Sequence, residues 1–96
     1  MSPIKQKKLD NLRKKLDILD NSFIKLIKKR TNLVNEVLNL KSYKKQIVDR
    51  KRIKIILKNI KKKSIRRGID PRITKGIWIA MIREFVKYEY RNFRKK

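Results

Sequence analysis

Arg13, Arg30 and Lys41 stand on or beside the apolar face of one long periodic stretch, residues 9–41, LDNLRKKLDILDNSFIKLIKKRTNLVNEVLNLK. Apolar residues fall there at Leu9, Leu12, Leu16, Leu19, Phe23, Leu26, Leu33, Val37 and Leu40, in steps dominated by three and four. Arg30 occupies the step where the stripe should carry another apolar residue. A second apolar line, Ile24, Ile27, Val34 and Leu38, is bracketed by Arg13 on one side and Lys41 on the other. Cations so placed are costly to bury unless something anionic meets them. Together they could hold a small dianion. The plainer alternative is that their long stems lie along a core edge and carry the charge out to water.

A carboxyl joins them from the far end of the chain. Glu89 follows Phe85 by four residues, Ile82 by seven and Trp78 by eleven, so it shares a helical face with those large apolar side chains. At the edge of a core such a group is solvated and ionised. Fully enclosed, it is held as the neutral acid, because burial disfavours charge.

These residues require helices to position them. The stretch 9–41 has no proline or glycine inside it and reads as one long amphipathic helix ending near Ser42. Residues 1–8 form a basic lead-in, with Ser2 able to cap and Pro3 suited to a first turn, so the helix could start there or at Asp10. Residues 42–48, SYKKQIV, read as a loop. Asp49 then looks like the cap of a second helix over residues 50–63, with Ile53, Ile56, Leu57 and Ile60 on one face and Arg52 beside them. The basic run at 61–63 suits a solvated helix end, and Gly68 fits the left-handed position that closes it. Asp70-Pro71 opens a third helix carrying Ile73, Ile77, Trp78, Met81, Ile82, Phe85, Val86 and Tyr88, followed by a basic tail at 91–96. The expectation is an all-α chain of a long, a short and a medium helix in one domain, residues 1–96.

Length constrains the assembly. A 96-residue monomer buries only about 60–65% of its unfolded surface. A thirty-residue helix is roughly 45–50 Å long, too long for the rest of the chain to cover once. A second copy is expected to cover the stripe, in an interlocked homodimer.

Composition excludes several chemistries. The chain has no Cys and no His, so disulfides, Cys/His zinc sites, Ser-His-Asp triads and imidazole bases are ruled out. No Gly-rich phosphate loop occurs, and neither a cofactor nor a metal is called for. The N-terminus lacks an apolar signal core and no run approaches a membrane span, so a cytoplasmic protein without membrane contact is expected. Lys and Arg total 31 against 8 acidic residues, a formal charge of +23. Nucleic-acid binding is one reading of that charge. The other is drift towards Lys, Ile and Asn, with cations spread along the chain rather than gathered into one groove. A coiled-coil scaffold is a third option, although Arg30 interrupts its seam.

In order and spacing, LDNLRKKLDILD, IKKR, Lys41, VDRKR and GIDPRITKGIWIAMIREFVKYE resemble the all-helical, AroQ-type chorismate mutases, over nearly the whole chain. The resemblance implies an intertwined dimer that rearranges chorismate to prephenate in aromatic amino-acid biosynthesis, with no cofactor and with nucleic acid an unlikely partner. It implies that Arg13 reaches into the partner's site to bind one carboxylate, and that Arg30 binds the other from within the same protomer. Lys41 would donate to the ether oxygen and a carboxylate. Asp49 and Arg52 match the family's Asp-x-x-Arg, and Glu89 stands where the family has Gln or Glu as second donor to the ether oxygen. Two positions depart from the pattern. Ile53 stands where the family usually has a Glu that accepts from the ring hydroxyl, and Phe85 stands where some members have a small polar residue. An isochorismate pyruvate-lyase on the same fold therefore stays open.

Overall fold

The computed structural model describes residues 1–94, and these form three α-helices without a strand among them. The expected tail at 91–96 ends in Lys95 and Lys96, which lie outside the described residues.

Helix α1 spans Pro3–Leu40. Ser2 caps it: its Oγ accepts from the Lys5 amide at 3.2 Å and its carbonyl from the Gln6 amide at 2.9 Å. The lead-in is thus the opening turns of α1 rather than a separate segment. Lys is a good helix former, and nothing between Pro3 and Leu40 breaks the run. Helix α2 spans Arg50–Arg66 and α3 spans Pro71–Asn92. Both start as their caps require, the Asp49 carboxylate accepting from the Arg52 amide and the Asp70 carboxylate from the Arg72 amide.

Helix α2 runs three residues beyond the expected end at Lys63. Lysines tolerate the helical interior, and Ser64 returns its hydroxyl to the Ile60 carbonyl at 2.6 Å instead of breaking out. The stop comes at Gly68, with φ +67°. The Gly68 amide bonds the Ile65 carbonyl and the Ile69 amide bonds the Ser64 carbonyl, the paired closure of a Schellman motif. Buried Ser64 also meets Thr74 at 2.7 Å, which ties the end of α2 to the start of α3.

The chain divides into two compact units, Met1–Leu33 and Val34–Lys96. The first is α1 alone. Leu12, Leu16, Leu19, Phe23, Leu26 and Leu33 are each more than half exposed there. The second unit holds the last turns of α1, a short 3-10 turn at Lys44–Gln46, and the α2–α3 hairpin, whose helices pack on each other. Its small core contains Leu38 and Ile47, with half-buried Ile56, Ile60, Trp78, Met81 and Phe85 around it. The loop before α2 is drawn tight by Gln46, whose side-chain oxygen accepts from the Ser42 and Tyr43 amides. No helix among the described residues is long and apolar enough to cross a membrane.

Candidate active site

Lys41 is the first residue beyond α1, and the turn of chain that follows holds it in place. Its ammonium donates to the Ile47 carbonyl at 3.4 Å and to Glu89 Oε1 at 2.8 Å. The pair is largely withdrawn from water, with the Lys41 and Glu89 side chains 17% and 9% exposed. Forty-eight residues separate them in sequence. The last turn of α1 and the last turns of α3 bring them together.

A second link fixes the same junction. Tyr88, next to Glu89, donates its hydroxyl to Asn35 Oδ1 at 2.7 Å. Phe85 stands edge-on to the Tyr88 ring, with centroids 6.3 Å apart. Asn35 and Tyr88 thus hold α3 on the end of α1 in the register that sets Glu89 opposite Lys41. Periodicity marks Tyr88 as part of an apolar face and gives no hint that its hydroxyl is used.

Glu89 therefore differs from both alternatives read from the sequence. It is buried, not solvated at a core edge, yet it faces an ammonium rather than a purely apolar wall.

Asp49 and Arg52 lie on the first turn of α2. The carboxylate of Asp49 is engaged as the helix cap by the Arg52 backbone amide at 3.0 Å, which leaves the Arg52 guanidinium exposed. An open cavity beside this turn is lined by Lys41, Lys45, Gln46, Asp49, Arg50 and Tyr90. Lys45, Arg50 and Tyr90 were not singled out by spacing, and only the fold of the loop sets them beside Lys41. Of the two departures, Ile53 faces an apolar groove with Leu57, Ile79, Ile82 and Val86. Phe85 packs on Tyr88.

The remaining two cations belong to the first unit. Arg13 is exposed on α1, and Arg30 is half-buried on the same helix. The second unit by itself thus brings together Lys41 and Glu89, with Asp49 sharing a cavity wall with Lys41. Arg13 is not among the residues gathered there.

Among sequence families, the model described as chorismate mutase type II matches residues 12–90. The chain belongs to that family. No curated protein and no solved structure matches it. In a chorismate mutase family member, Lys41, Asp49, Arg52 and Glu89 fall at positions contributed by three different helices or their ends. All four lie inside the matched span, as do Arg13 and Arg30.

Proposed function

We propose that this chain is a chorismate mutase that converts chorismate to prephenate as an intertwined homodimer. The observation that carries the reading is the Lys41–Glu89 contact at 2.8 Å, a donor and a carboxyl drawn from distant parts of the sequence into a largely dry place. Family membership supplies the reaction. The bare apolar stripe of α1 supports the dimer, because roughly 25 cal/mol is gained per Å² of apolar surface that a second copy removes from water.

The reaction is a unimolecular pericyclic shift and requires neither a nucleophile nor a cofactor. The protein must confine a flexible dianion in its reactive shape and aim donors at the oxygen where negative charge grows as the C–O bond breaks. Arg13 of one copy and Arg30 of the other grip the two carboxylates, since a guanidinium fork matches a carboxylate with two parallel hydrogen bonds. Arg52, exposed on the first turn of α2, adds a third guanidinium. Asp49 keeps the α2 turn in position through its cap. Lys41 donates to the ether oxygen and a carboxylate.

Glu89 is the second donor to the ether oxygen, which only its neutral form can be. As the substrate draws the Lys41 ammonium onto itself, Glu89 loses its counter-charge while remaining buried. On this reading the whole chain works as one catalytic domain, with each unit completed by the other copy.

The deciding experiment incubates purified protein with chorismate and follows its absorbance, with prephenate identified as product. Multiple turnovers above the uncatalysed rate are expected, and their absence refutes the reading. A parallel incubation with isochorismate, scored for released pyruvate, separates the lyase on the same fold.

A further inference from the structure

The acidic residues of the first unit are Asp10, Asp17 and Asp20, and they crowd one residue. They stand three before, four after and seven after Arg13, all on its face of α1. Among the described residues none of the three forms an ion pair; Asp10 accepts only from Gln6, at 3.0 Å. The opposite pattern occurs on α2, RKRIKIILKNIKKKSIR, which is basic throughout and contains no Asp or Glu. Arg50, Lys54, Lys58 and Lys61 recur there at steps of four, four and three, again one helical face. Lys54, Lys58 and Lys61 rim a groove floored by Leu57 and Ile60, with Lys75 of α3 on its far side.

We infer that the Asp10–Asp17–Asp20 row of one copy docks on the Arg50–Lys54–Lys58–Lys61 row of α2 in the other, and so sets the register that delivers Arg13. The inference rests on the two-copy reading above and adds the contact that aligns the copies. Three features identify a second copy as the occupant. The acidic row spans about 15 Å and the basic row from Arg50 to Lys61 about 16.5 Å, so they match in length. The acidic edge flanks an exposed apolar stripe, Leu12, Leu16 and Leu19, as the basic rim flanks an apolar floor. Two chains of formal charge +23 also repel each other, so an unpaired acidic row facing the partner's most basic helix offsets repulsion where the copies meet. Opposed charges flanking an apolar seam are the device by which coiled coils choose register and partner.

The test swaps the charges. One full-length variant carries Asp10→Lys, Asp17→Lys and Asp20→Lys, and a second carries Lys54→Glu, Lys58→Glu and Lys61→Glu. Association is measured by sedimentation and by energy transfer between labelled chains, with circular dichroism to follow helix content. Each variant alone is expected to self-associate about tenfold or more weakly than the unaltered chain. Mixed, the two restore attraction at both symmetry-related contacts, so heterodimers form at close to the original affinity. That rescue also answers loss of association through misfolding. If both variants dimerise as the unaltered chain does, or their mixture shows no preference for heterodimers, the charge register is wrong while the dimer stands. If the unaltered chain is monomeric at every concentration, the dimer itself is wrong and the register falls with it.

Discussion

The Lys41–Glu89 pair lends itself to a double-mutant cycle whose size follows from its surroundings. Removing one member of a fully buried ion pair costs about 3–5 kcal/mol, because the remaining charge is left without a partner. Here the two side chains keep 17% and 9% of their exposure, so some water reaches the pair. We therefore expect Lys41→Met to destabilise the fold by about 2–3 kcal/mol, below the fully buried range. Glu89→Gln keeps the shape and an acceptor oxygen for the ammonium, and should cost about 1–2 kcal/mol, the difference between a charged and a neutral hydrogen bond. The double variant leaves no unpaired charge and should lose about 1 kcal/mol less than the sum of the single changes. Urea unfolding followed by circular dichroism measures all four proteins, at one fixed chain concentration because association adds to apparent stability. Single effects that add to within about 0.5 kcal/mol would show that the contact carries no coupling, and the reasoning behind the site would fail with it.

Three further outcomes are expected. Arg13→Ala and Arg30→Ala should each remove roughly 2–5 kcal/mol of transition-state stabilisation, and mixing the two inactive chains should restore part of the turnover; a mixture as inactive as its components would mean that Arg13 is not supplied by the partner. Glu89→Gln should retain turnover, because an amide can donate a hydrogen bond, whereas Glu89→Ala should lose it; equal turnover from the two variants would remove Glu89 from the donor role. The Arg72 side chain and backbone amide both bond the Asp70 carboxyl and hold it below the ordinary aspartate range. A carboxyl depressed in the folded state stabilises fully above its unfolded value and loses that contribution as pH falls through its folded value. The stability advantage of the unaltered chain over Asp70→Asn should therefore shrink on acidification, and a gap independent of pH would contradict it.

Elements governed by neighbours in sequence could be read before any fold was known. Asp49 and Asp70-Pro71 open their helices, and Gly68 closes α2 with a positive φ, because a cap or a left-handed turn is satisfied within a few residues. The end of α2 lies three residues beyond Lys63, where nothing local distinguishes a frayed lysine run from a helical one. Ser64 settled it through bonds to Ile60 and, across the hairpin, to Thr74.

Sequence alone determined three amphipathic helices and the long apolar stripe of the first. These follow from period, length and composition, which are properties of the chain in any conformation. Only the tertiary structure decided that Glu89 meets Lys41, that Tyr88 anchors on Asn35, and that Lys45, Arg50 and Tyr90 share a cavity with Asp49. A helical face states which side chains point together, not what stands opposite them. Packing brought the partner of Glu89 from forty-eight residues away.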